Sequence, residues 1–371
     1  MLLPAAVAFC AVAGAAAQDS EPAVEHGFTL ETIARVPAAR ELAVAPNGDL
    51  LVGTSRGDVD IVADAEGTPH AASVFVHLDE APAAGVALGA GSLYVGTQFG
   101  VWRIPYEAGR QSVRGTPEKI VNVRPGGSRG HRTTSVAIEG NRLFYSVGSS
   151  CNACEESDAT RAKVFDAALN GRDPHPIALG IRNAIALAAN PATGAVWAGV
   201  AGQDELEGGH PYEIFDPVTA HVSPADYGWP ECYENHRTLH AGHDCSTAVE
   251  SRVVFPAYET PIGAVFYPLR PSGKYAFPAA FEGGAFVTLH GSWHQPPVPP
   301  RVVFVPMRGD EPVTPVNWAD PDAQWREFVN GFQRPDGSRL ARPTGVAVGP
   351  EGSLFVSDDA SGAIYRIRPV R

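Results

Sequence analysis

The chain of 371 residues carries a formal net charge of -13, with 44% hydrophobic residues, 39 Gly and 33 Pro. The acidic balance repels phosphate backbones and anionic lipid, and no basic stripe offsets it, which excludes nucleic acid as a partner. Abundant Gly and Pro exclude long helices in favour of short strands and turns, and the length suits one large all-β domain as readily as two smaller ones.

In chain order, residues 1–17 form an apolar run closed by Ala15 and Ala17, an A-x-A pattern that marks a signal peptide. Residues 18–371 are then expected to form a single exported domain, periplasmic or secreted. The leader is too short for a comfortable membrane span, so none is expected in the mature chain. Six segments follow that share one pattern: APNGDLLVGTSRGDVDIV from Ala45, GAGSLYVGTQFGVWRIPY from Gly89, EGNRLFYSVGSS from Glu139, NPATGAVWAGVAGQD from Asn190, GGAFVTLHGSW from Gly283 and GPEGSLFVSDDASGAIYRIRP from Gly349. Each opens on a tight turn in which Gly supplies φ > 0, then alternates as a strand expected to be half-buried. Recurrence at this spacing predicts a six-bladed β-propeller, whose loops gather on one face around a central channel. An irregular β-sandwich is the alternative, but it gives no reason for the repetition.

A wider gap after the fourth repeat predicts a long disulfide-bearing loop insertion, from about Asp216 to Pro261. Loss of the leader removes Cys10 and leaves Cys151, Cys154, Cys232 and Cys245. An even count in an exported chain points to disulfides, and the two local pairings are favoured because each closes within one loop. Zinc is the rival, since His236, His240 and His243 lie beside Cys232 and Cys245.

Candidate chemistry is spread over the repeats. GGSRGHRTTSVAI puts His131 on a Gly-rich approach to a strand, as a candidate general base. GIRNAIAL puts Arg182 and Asn183 ahead of another, where a guanidinium fork suits a carboxylate. AGQDELEGGHPYEIF supplies Gly202, Gln203, Asp204 and Glu213, an oxygen-rich stretch suited to a hard cation such as calcium, without the spacing of an EF-hand. TLHGSWHQPP adds His290 and the flat wall of Trp293, and RLARPTGVAVGPEGSLFVSDDASG adds Arg342, Asp358 and Asp359. Each fragment alone also admits a structural role, such as a surface histidine between arginines or an Arg-Asn pair at a blade corner.

Taken together, GHRTT, VGSSCNAC, GIRNAIAL with NPATGAVWAG, DYGWPECY, FVTLHGSW and RPTGVAVGPEGSLFVSDDASG resemble, in order, the words of the pyrroloquinoline-quinone (PQQ)-dependent soluble glucose and sorbosone dehydrogenase family. The resemblance implies a six-bladed propeller with PQQ and calcium at the channel mouth. His131 then falls on the family's catalytic base, Arg182 and Asn183 on its Arg-Asn pair beside the quinone, and Gly202 and Gln203 on the carbonyls that hold the cofactor's calcium. Arg342 matches an arginine facing the cofactor, and Asp359, or else Asp358, an acidic partner in that shell. Glu213 and Tyr227 fall where the family places a second, structural calcium. The family's cofactor-binding lysine has His290 as its nearby substitute, and Gly130 stands where glucose-oxidising members carry an acidic residue. The implied activity is oxidation of an aldose, sorbosone or related sugar by hydride transfer to the quinone, with electrons passed to an external acceptor, in a monomer or homodimer. Two competing readings are a non-catalytic binding or scaffold propeller and a metal-dependent lactonase. The latter calls for acidic and Asn ligands converging from several blades.

Overall fold

The computed structural model describes residues 22–371 apart from 129, 133, 222, 293 and 295. The expected leader and Trp293 therefore lie outside the described residues. Each repeat folds as an antiparallel meander, and except in the fifth, where residues 267–284 intervene, its opening turn joins the first strand to the second. The first unit pairs Ala39–Val44, Leu50–Thr54, Asp58–Val62 and Ser73–His77 in order. The second pairs Ala83–Gly89, Ser92–Thr97, Gly100–Pro105 and Glu118–Asn122. Val136–Glu139, Arg142–Val147, Lys163–Ala168 and His175–Leu179 make the third, and Ala184–Ala189, Val196–Val200, Glu213–Pro217 and Val253–Phe255 the fourth. The fifth consists of Pro261–Phe266, Ala285–Leu289, Arg301–Val305 and Arg326–Asn330.

The last unit supplies only Pro343–Val348, Leu354–Asp358 and Ala363–Pro369 from its own stretch of chain. Its outer strand is Phe28–Arg35, which pairs along Ala363–Pro369 from Phe28↔Pro369 to Arg35↔Ala363. Strand pairing between the two ends of the domain thus closes the arrangement, and the first strand of the last unit packs against Ala39–Val44 of the first.

One apolar cluster fills each space between consecutive units. Trp197, Phe215 and Val253 meet Ala285, Val287 and Val303, while Ala347, Phe355 and Ile364 meet Leu42, Leu50 and Val52 across the closure. The alternating pattern predicts half-buried second strands, yet Leu50–Thr54, Val196–Val200, Ala285–Leu289 and Leu354–Asp358 are buried at every position. Neighbouring units cover both faces of each sheet, so small residues on the second face, such as Gly53 and Gly199, are packed as closely as the apolar ones on the first.

The insertion enters between the third and fourth strands of the fourth unit, inside it and not beyond it. Within it, Ala225–Asp226 pairs in parallel with His175–Leu179 of the third unit, and Cys232–Tyr233 forms a small hairpin with Arg237–Thr238. Disulfides join Cys151 to Cys154 and Cys232 to Cys245, the two local pairings. His243 does lie beside the second bond, but sulfurs held in a disulfide are not thiolate ligands for zinc. Among the described residues, no helix is long and apolar enough to cross a membrane.

Candidate active site

The register slips in five of the first strands, between Ala39 and Leu42, Ala83 and Gly85, Ala184 and Ala186, Pro261 and Gly263, and Pro343 and Val346. A bulge at a strand start bends the backbone and re-aims the residues just ahead of it. Those residues include Asn183, Thr260 and Arg342, which line one cavity of about 430 Å³ together with His131, Arg182, Gly202, Glu213 and His290. That volume falls within the range of roughly 300–1,000 Å³ usual for small-molecule sites.

His131 is anchored through Nδ1, which lies 3.1 Å from both the carbonyl oxygen and Oγ of Ser149. The Ser149 hydroxyl itself donates to the Cys151 carbonyl at 2.6 Å, so Nδ1 carries the proton and Nε2 keeps its lone pair. Burial, reinforced by the Arg182 and Arg161 guanidiniums, pushes the imidazole down to about 4, which keeps it neutral at ordinary pH. Gly148 makes room for this arrangement: a Cβ there would lie 2.5 Å from Asn183 Oδ1 and 2.6 Å from His131 Cβ.

Arg182 is buried, and its five N–H donors meet five protein acceptors. Nε donates to the Asn152 carbonyl (2.9 Å), Nη1 to the Ala201 (3.3 Å) and Gly202 (2.6 Å) carbonyls, and Nη2 to Asn152 Oδ1 (2.9 Å) and Asp204 Oδ2 (3.3 Å). The guanidinium expected to grip a carboxylate is thus committed to the framework, and reaches the cavity through its charge. The same Gly202 peptide donates its N–H to Glu213 Oε2 at 2.6 Å, while Glu213 Oε1 accepts from Tyr258 N at 3.0 Å. Burial pushes this carboxyl up to about 7, against the two hydrogen bonds and the Arg182 charge.

A second polar cluster centres on His290. His290 Nδ1 donates to the Pro343 carbonyl at 2.9 Å, and its Nε2 lies 3.4 Å from Asp359 Oδ2, which also pairs with Arg40 Nη1 at 3.2 Å. Burial, then the Arg342 and Arg40 charges, holds the His290 imidazole well below its usual range; burial raises Asp359 against those same charges. Asp358 instead caps its own turn, accepting from the backbone N–H of Arg342 and of Ala360 at 2.8 Å each. Asp359 is therefore the member of the pair that reaches a cavity-lining residue, His290.

Not every expected residue converges. Gln203 and Tyr227 line a separate, mainly apolar cavity on the far side of Arg182 and Gly202, and the Tyr227 hydroxyl donates to Asp216 Oδ2 at 2.6 Å. Glu213 and Tyr227 thus face different cavities. Sequence reasoning missed Arg40, Asn152 and the Tyr258–His294 pair, whose rings stack in the cavity wall with centroids 3.7 Å apart and planes 20° apart. Asn152 stood in plain view inside CNAC, but no short-range signal marks Tyr258 or Arg40. The whole site presents a neutral imidazole, a cationic wall suited to an anionic ligand, and carbonyl and carboxylate oxygens suited to a hard cation.

The TrAA12-like family model matches residues 22–240 and 233–370. A curated relative, an uncharacterized protein of Borreliella burgdorferi, is 22% identical over 64% of this chain and 59% of its own length. Among solved structures, a calcium structure of Trichoderma reesei carbohydrate-active enzyme family AA12 superposes with a TM-score of 0.78 at 21% identity, covering 95% of this chain and 100% of that one. The holo PQQ domain of pyranose dehydrogenase from Coprinopsis cinerea gives 0.77 at 18% identity over 96% and 99% of the two chains. The PQQ-bound aldose sugar dehydrogenase of Streptomyces coelicolor gives 0.64 at 17% identity over 93% and 99%. At these identities the likenesses establish a shared all-β fold, and the match along nearly the whole described length establishes the family: the chain belongs to the TrAA12-like family.

Proposed function

We propose that this chain is an exported PQQ-dependent dehydrogenase of aldoses, sorbosone or related sugars, with its meander units forming the blades of one six-bladed propeller. The observation that carries the reading is the convergence of His131, Arg342, His290 and the Gly202 turn on a single cavity. The residues present fit the implied groups. Arg342, Asn183 and His290 of the cavity lining would hold the quinone's carboxylates, and the stacked Tyr258 and His294 rings offer a flat wall for a planar ligand. Gly202 and Asp204 supply oxygens for calcium, although the Gly202 carbonyl already accepts one hydrogen bond from Arg182 and has one lone pair left for a cation.

When bound, PQQ supplies an electrophilic carbonyl that accepts hydride, and calcium polarises it as a Lewis acid. His131 acts on the sugar hydroxyl: its Nε2 lone pair takes the proton while Ser149 fixes the ring through Nδ1. Burial, reinforced by Arg182 and Arg161, keeps that imidazole unprotonated before the sugar arrives. An external acceptor would take the electrons, and the protein would work as a monomer or homodimer in the periplasm or outside the cell.

Reconstitution tests the reading. Purified protein given calcium and PQQ is expected to reduce a redox dye with a sugar from an aldose and sorbosone panel, and His131→Ala is expected to abolish this while still binding quinone. Absence of quinone binding with and without calcium overturns the reading in favour of a binding module, and lactone hydrolysis without quinone overturns it in favour of a lactonase.

A further inference from the structure

The Cys151–Cys154 disulfide closes a four-residue turn with a sequence separation of 3, and Asn152 stands within it. Every polar atom of that side chain, and its carbonyl, reaches across to the fourth unit. Oδ1 accepts from Arg182 Nη2 at 2.9 Å and from the Asp204 backbone N–H at 2.8 Å, and Nδ2 donates to the Asp204 carbonyl at 3.0 Å. The Asn152 carbonyl accepts from Arg182 Nε at 2.9 Å and from Trp229 Nε1, in the insertion, at 3.3 Å. Asn152 thus reads the backbone of Asp204 on both its N–H and its C=O, as a neighbouring strand would, in a stretch that has no strand pairing of its own.

We infer that Asn152 is a positioning residue, held by the Cys151–Cys154 turn, which fixes the Arg182 guanidinium and the Gly202–Asp204 backbone as one unit. Arg182 touches Gly202 and Asp204 directly, so the three groups share one hydrogen-bonded frame with Asn152 at its centre. A disulfide across so short a turn removes the alternative conformations that would let the amide turn away, so Asn152 loses little further freedom when it makes these bonds. A lone asparagine on an open loop would meet water as readily as Asp204. The disulfide therefore acts on the site through geometry, and its sulfurs need no redox or metal role.

The frame itself is independent of the dehydrogenase reading; only its consequence for quinone binding rests on that reading. Amide and guanidinium hydrogen exchange, followed by NMR on protein free of quinone, tests it. Two exchange sites are read: the Asp204 backbone N–H and the Arg182 Nε–H, the latter assigned from its absence in Arg182→Lys. Asn152→Ala is expected to speed exchange at Asp204 by at least about tenfold, a loss of about 1.4 kcal/mol of local protection, and the double variant Cys151→Ser, Cys154→Ser to speed it at both sites. Asn152→Asp keeps the Oδ1 acceptor for the Asp204 N–H but sets its second oxygen against the Asp204 carbonyl, so protection at Asp204 is expected to lie between that of the native protein and that of Asn152→Ala. Unchanged exchange at Asp204 in a folded Asn152→Ala overturns the inference. Should that variant not fold, retention of Asp204 protection in the cysteine variant overturns it. In quinone titrations with calcium, Asn152→Ala is then expected to bind at least about tenfold more weakly; normal quinone affinity alongside faster exchange would leave the frame standing and detach it from the cofactor site.

Discussion

Burial of His131 couples stability to pH, and the coupling has a sign and a size. The imidazole moves from 6.5 to about 4 on folding, driven first by burial and then by Arg182 and Arg161. Because the folded value is depressed, the unfolded chain binds the proton more readily between those two values. The stabilisation is fully present above 6.5 and is lost as the pH falls toward about 4. At about 1.36 kcal/mol per pH unit, the shift is worth about 3 kcal/mol in all, of which about 2 kcal/mol disappears between about pH 7 and about pH 4.5. His131→Gln removes the titration while keeping a polar side chain. Glu213 and Glu41, raised by burial to about 7 and about 8, act with the opposite sign and gain stability as the pH falls. They are common to both proteins and cancel in the difference. Denaturant unfolding of both proteins across this range, with two-state behaviour verified at each pH, measures that difference. The two stability curves are expected to converge by about 2 kcal/mol on acidification. Parallel curves would mean that His131 titrates at its ordinary value, and the neutral base argued from its burial would be lost with it.

Turnover should carry the same signature, with the acid limb of kcat/KM lying near 4 and moving toward the ordinary histidine value in Arg182→Gln, as read from pH–rate profiles of reconstituted protein. Gly148→Ala forces a methyl to within 2.5 Å of Asn183 Oδ1 and 2.6 Å of His131 Cβ, so kcat/KM should fall by about tenfold or more while circular dichroism still reports the native strands. Trp197 is wholly buried between the fourth and fifth units and donates to Asp310 Oδ1 at 3.1 Å; Trp197→Ala should cost about 3–5 kcal/mol in denaturant unfolding.

The parts of the fold legible in sequence are those encoded over a few residues. Asn47-Gly48 announces its hairpin because Gly48 sits at φ +85°, and the equivalent turns mark each meander in the same local way. Burial of both faces of the second strands was not legible, because it arises only when neighbouring units enclose them. At the site, His131, Asn183, Arg342 and His290, which short sequence words single out, line one cavity. Arg182 lines the same cavity, but its commitment to Asn152, Gly202 and Asp204 depends on partners up to 30 residues away in sequence. Arg40 reaches Asp359 across the closure, a separation of 319 residues that no local pattern records. Tyr227 lines the other cavity: it sits in the insertion, whose path the repeat pattern does not describe, and its hydroxyl is bound to Asp216 on the third strand of the fourth unit.

A crystal structure grown with PQQ and calcium is the most direct test of the central claim, that residues from separate units close on one redox cofactor. Density for the quinone is expected in the cavity between His131 and Arg342, with calcium against the Gly202–Asp204 backbone. Quinone bound anywhere else, or that cavity empty at saturating quinone and calcium, contradicts it.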